Sequence, residues 1–137
     1  MSKRLSHILL LLAAALLLQG CSWQRMRNAF EEGDELRLMV GGQVVFAYDP
    51  LTCQLAFSRE LKEFRAHTDN MSDFYIVDFR DIPTEVGQSV TADLVWTTER
   101  EVLTRKNLTL AVVRSEGDQF WLWSNSGRIG LVVRILE

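Results

Sequence analysis

The chain has 137 residues, 47% of them hydrophobic, and a formal net charge of −3 from 18 acidic and 15 basic side chains. That length suits one domain with a core of its own. The acidic balance excludes a general nucleic-acid surface, which shows a clustered basic footprint.

Met1 to His7 carries Lys3 and Arg4 and no acid, Ile8 to Leu18 is the purely apolar run "ILLLLAAALLL", and Gln19-Gly20 leads into Cys21. A positive start, an apolar core of about 7–15 residues and a small residue at the cut describe a secretory signal. A membrane-spanning helix needs about 20 apolar residues. This run is shorter, so the sequence predicts a removed signal peptide over residues 1–20. Leu18, Gln19, Gly20 and Cys21 resemble the lipobox of bacterial lipoproteins, which reads Leu, two mostly small residues, Cys; Gln19 is bulkier than the usual occupant. The resemblance covers the first twenty-one residues only and implies nothing about the fold. It implies cleavage before Cys21, lipidation of its thiol and acylation of the new amine. Each buried methylene of such an anchor contributes about 0.8 kcal/mol, and more than one acyl chain makes it lasting. By the same resemblance, Ser22 in place of an Asp points to the outer membrane. In that family an acidic stretch after the Cys can direct export to the cell surface, so the resemblance implies that the basic "SWQRMRN" (Ser22–Asn28) keeps the chain on the periplasmic face.

Residues 21–33 read as a lipidated tether, with a short helix over "RMRNAFEEG", and residues 34–137 as a single all-β domain. "LRLMVGGQVVFAYDP" reads as two strands about Gly41-Gly42, a pair suited to a type I′ turn because glycine reaches positive φ freely. Asp49-Pro50 punctuates the chain. "LTCQLAFS" alternates, with Leu51, Cys53, Leu55 and Phe57 on one face. "SRELKEFRAHTDNMSD" reads as a short strand containing Phe64 and Ala66, after a turn near Arg59-Glu60. Further strands are expected over Phe74–Phe79, Ser89–Thr97, Asn107–Arg114, Asp118–Ser124 and Arg128–Leu136. The loop between the first two of these contains Pro83, and short turns join the last three. The expectation is a small antiparallel β-sandwich or closed barrel of about seven or eight short strands.

The residue inventory argues against most catalysis. Once the signal peptide leaves, one histidine and one unlipidated cysteine remain, His67 and Cys53. A Ser-His-Asp relay needs a histidine held by a carboxylate, and no G-x-S-x-G elbow or Gly-rich phosphate loop is present. Zinc sites draw on several His or Cys ligands, and "TDNMSD" (Thr68–Asp73) lacks the glycine and closing Glu of a calcium loop. No metal and no cofactor is expected, and His67 reads as a surface loop residue. Cys53 falls among core positions, where cysteine is a small apolar filler. A lone cysteine also rules out a disulfide framework.

"FWLW" (Phe120–Trp123) is apolar on both strand faces. It reads either as a strand covered twice or as one whose Trp121 and Trp123 line a binding face together with Trp96. These observations predict no enzyme. They predict a lipid-anchored envelope protein that binds or scaffolds, an accessory subunit of an outer-membrane assembly with an envelope protein partner. A small-ligand or carbohydrate binder using the Trp96, Trp121, Trp123 face is the alternative. An enzyme using Cys53, or a carboxylate pair such as Asp78 and Asp81, is the third reading.

Overall fold

A computed structural model describes residues 24–136 of the chain. The chain divides into two compact units at the Glu32–Gly33 junction. In the first, residues 24–32 form a helix, α1, in which Gln24 Nε2 donates to Asn28 Oδ1 one turn on, at 3.0 Å. No helix among the described residues is long and apolar enough to cross a membrane.

The second unit, Gly33–Glu137, is all β. Its nine strands are β1 (Arg37–Val40), β2 (Gln43–Ala47), β3 (Cys53–Ser58), β4 (Glu63–Thr68), β5 (Phe74–Phe79), β6 (Ser89–Thr97), β7 (Val102–Glu116), β8 (Gln119–Ser124) and β9 (Ile129–Arg134). They form one sheet in the order β2-β1-β9-β8-β7-β6-β5-β4-β3, and every neighbouring pair is antiparallel.

The sheet curls tightly. Tyr75 on β5 donates its hydroxyl to the backbone carbonyl of Val132 on β9 at 2.8 Å. It also packs edge-on against Phe46 of β2 with ring centroids 5.2 Å apart. In a flat sheet with strands about 4.8 Å apart, β5 would lie roughly 19 Å from β9 and roughly 29 Å from β2. The concave side therefore holds the core. Leu38, Phe64, Ala66, Tyr75, Val77, Ala92, Leu94, Leu110, Leu122 and Leu131 are all fully buried.

The expected sandwich or closed barrel of seven or eight strands is corrected to a single curled sheet of nine, a half-barrel. The reason is parity. Eight antiparallel pairings separate β2 from β3, so the two edge strands have the same polarity, and closing the ring would need a parallel pair. A parallel connection takes a dozen or more residues, whereas Tyr48–Thr52 supplies five. The chain instead steps from one edge of the sheet to the other. Tyr48 N–H still bonds Leu36 O of the β1 side, and Thr52 O already accepts from Asp69 N–H of the β4 side. Asp49 turns the corner, its carbonyl accepting from Thr52 and Cys53 and its carboxylate from Leu51 N–H.

Two local features follow from residue type. Gly41 and Gly42 have φ of 62° and 83°, as the expected type I′ hairpin requires. β7 starts at Val102 rather than Asn107 and bends where its register with β6 shifts between Ala92 and Leu94. At that bend Asn107 has φ of 56°, and its N–H is held by Asp93 Oδ1 at 2.8 Å. The exposed Thr104–Lys106 stretch shows no alternation, which hid this part of the strand.

Candidate functional site

The open edge of β3 is the most distinctive feature of the sheet. Asp69 N–H bonding Thr52 O marks that pair as hydrogen-bonded. Antiparallel alternation then makes Gln54–His67, Ala56–Arg65 and Ser58–Glu63 hydrogen-bonded pairs, with Cys53–Thr68, Leu55–Ala66 and Phe57–Phe64 between them. The backbone groups of Cys53, Leu55 and Phe57 therefore point away from β4. Asp49 O takes the Cys53 N–H at 2.8 Å. Leu55 and Phe57 present both N–H and C=O to the open side, where no ladder among the described residues meets them.

β3 has none of the usual edge protection: "CQLAFS" contains no charge and no proline. Its concave side chains are also less well covered than those of its neighbours. Leu55 and Phe57 are half-buried, while their cross-strand partners Ala66 and Phe64 are fully buried. A groove of about 250 Å³ lies over the β3–β4 hairpin, lined by Ala56, Phe57, Ser58, Leu61, Glu63 and Arg65. Leu61 is 65% exposed there, and Val44 of the other edge strand is 50% exposed.

Beside the groove, three carboxylates line up across adjacent strands. Glu63 pairs with Asp78, and Asp78 with Asp93. Like charges directly opposite each other are unfavourable, and this row manages them in different ways. Asp93 is held below the usual carboxylate range by the Asn107 N–H and by Arg80, which it meets at 3.1 Å. Burial and the facing Glu63 push the Asp78 carboxyl up to about 6. Glu63 is lowered, by its hydrogen bond with Asp78 and by Arg65. Below about pH 6 Asp78 and Glu63 thus share a proton, with Asp78 as the donor. The proposed partner of Asp78 was Asp81, which is exposed in the following loop. Glu63, which lies on the preceding strand, was missed because only the β4–β5 register brings it opposite.

The three tryptophans do not share a face. Trp96 stands directly opposite Tyr75 on the concave side, and its buried Nε1 has no hydrogen-bond partner. Trp121 and Trp123 pair with Val132 and Gly130 on the convex side, while Leu122 between them faces Leu131 and the core. Both convex indoles are buried and their N–H groups are used. Trp121 Nε1 donates to Gly33 O at 2.8 Å and Trp123 Nε1 to Asn125 Oδ1 at 2.9 Å. The Arg114 guanidinium lies 4.1 Å above the Trp121 ring and pairs with Asp34 and Glu116 at 2.6 and 2.7 Å. This cluster pins the first residues of the domain to β7 and β8. A Cβ at Gly33 would come within 2.7 Å of Arg37 Nη2, so the guanidinium would have to shift to admit one.

Cys53 is buried and free, as expected of an apolar filler. His67 sits on β4 rather than in a loop, its Nδ1 2.9 Å from Thr68 O. In the 68–73 turn, Asn70 Oδ1 is occupied by Thr68, Ser72 Oγ and Ser72 N–H. Among the described residues no group of three His, Cys, Asp or Glu side chains is placed to hold a metal ion. Cys21 lies outside the described residues. No family model matches the chain, and no curated protein or solved structure is significantly similar to it.

Proposed function

We propose that this chain is a lipid-anchored envelope protein, held through Cys21 at the periplasmic face of the outer membrane, that recruits a partner protein to the open edge of β3. The observation that carries the reading is the outward backbone donors and acceptors of Leu55 and Phe57, on an uncharged edge strand beside a groove. Main-chain bonds to an added strand give affinity, and the side-chain pockets give selectivity. The engaged indoles of Trp121 and Trp123 favour this edge over an aromatic ligand face.

The test is site-specific photo-crosslinking in intact envelopes. A photo-reactive residue at Ser58 should give a discrete adduct that one at exposed Thr109 does not. Leu55→Pro removes an outward N–H and leaves the β4 ladder intact, and it should abolish the adduct. Leu55→Lys, which places a charge at the edge, should do the same if the proline variant folds poorly. An adduct unchanged in a folded edge variant refutes the proposal. Cys21→Ala should release the chain from the membrane fraction.

A further inference from the structure

Resting on that reading of the β3 edge, the geometry points to a specific occupant. We propose that the partner donates a single extended segment, antiparallel to β3, as a tenth strand whose alternate apolar side chains cover Leu55 and Phe57. Parity sets the direction. Because β2 and β3 share one polarity, a strand antiparallel to β3 is opposite to β2 as well. An even number of strands removes the conflict that keeps nine antiparallel strands from closing.

Burial sets the side-chain pattern. Residues directly opposite Leu55 and Phe57 on an added strand would turn to the concave side. There β4 and β5 contribute fully buried Phe64, Ala66, Tyr75 and Val77, while β3 leaves its own two apolar side chains half-covered. Residues opposite Ala56 and Ser58 would turn outward towards Arg65 and Glu63, so they are polar. The seam also sets the number of strands. Only Asp49–Leu51 separates the residue bonded to the β1 side from the residue bonded to the β4 side, so the seam narrows to a three-residue bridge. One extended segment enters such a wedge; a second copy of this chain would bring its neighbouring strands with it.

The experiment uses the full lipid-bearing chain in detergent, extended at its C-terminus. Ile135 and Arg59 line one cleft, so the end of β9 lies beside the end of β3, and a strand returning from there runs antiparallel to β3. A flexible linker is followed by an alternating Val/Thr decapeptide, or by a Ser/Thr decapeptide of equal length. Hydrogen exchange is read at the Leu55 and Phe57 amides. The Val/Thr strand should slow both by at least about tenfold, with the Ser/Thr strand leaving them near the unextended chain. Equal protection by both strands overturns the apolar pattern while leaving the edge reading intact. Protection by neither overturns both. Amides of the unextended chain that become protected as its concentration rises would show a second copy on the edge, and overturn the single-strand occupant.

Discussion

Replacing Asp78 by Asn should stabilise the domain at neutral pH and have little effect in acid. In the native state Asp78 holds its proton up to about pH 6, whereas an unfolded aspartate releases it near 3.8. Between those values the native state binds more protons than the unfolded state, so stability falls as pH rises through this window. Below it both states are protonated and the penalty is absent; above it the penalty is complete. The displacement corresponds to roughly 3 kcal/mol if taken whole. Partial solvent access and the opposite shift of Glu63 reduce the net expectation to about 1 kcal/mol. Asn keeps the shape and donates an N–H to Glu63 without ionising. Thermal melts followed by circular dichroism at pH 4, 5, 6, 7 and 8 should show D78N gaining about 4 °C over the wild type at pH 8. The gain should shrink through pH 6 and vanish by pH 4. A difference of the same size at every pH would refute proton sharing between Glu63 and Asp78.

The curl rests partly on one hydroxyl. Tyr75→Phe should cost about 1–2 kcal/mol by removing the buried bond to Val132 O, read as a lower melting temperature; an unchanged melt would show that the bond contributes nothing. Burial also raises the Tyr75 phenol well above its ordinary value of 10.0, so its phenolate absorbance should appear only as the domain unfolds in alkali. Cys53 should resist a thiol reagent in the native protein and react in denaturant, with Cys53→Ala abolishing that signal; fast native labelling would contradict its burial. Arg114→Ala should uncover the Trp121 ring, shifting tryptophan emission to the red and increasing acrylamide quenching. Unchanged emission would mean that the guanidinium does not shield the indole.

Much of the sheet was legible because half-buried strands alternate. Phe74–Phe79 and Ser89–Thr97 have the bounds expected from their pattern, and the Gly41-Gly42 turn was signalled by a residue type that adopts positive φ without steric cost. The misses have different physical causes. Val102–Lys106 is mostly exposed and ends in Arg105 and Lys106, so it carries no clear alternation, and pairing with β6 makes it a strand. The Glu63–Asp78 pair depends on cross-strand register, which a linear pattern does not contain. "FWLW" did signal burial on both faces. The separation of Trp96 from Trp121 and Trp123 depended on which face of β8 met the core, and alternation is symmetric in that choice.

The open edge was the least legible feature, because strand pattern and strand neighbours are different kinds of information. The final strand, "RIGLVVRIL", reads as integral to the sheet or as an edge, and β9 lies between β1 and β8 with its central residues buried. β3 alternates clearly in sequence, a pattern that does not distinguish interior from edge strands, and it is an edge. What decides between them is the polarity count. Once β1 pairs with β9, the ring contains an odd number of strands, and the mismatch must fall at the one connection between sequence neighbours that do not pair, Tyr48–Thr52. An edge strand that was merely the end of a sheet would be expected to carry a lysine, a proline or an inward charge. β3 carries an interior strand's residues at an edge position, and that mismatch between composition and place is the physical basis for assigning it a partner.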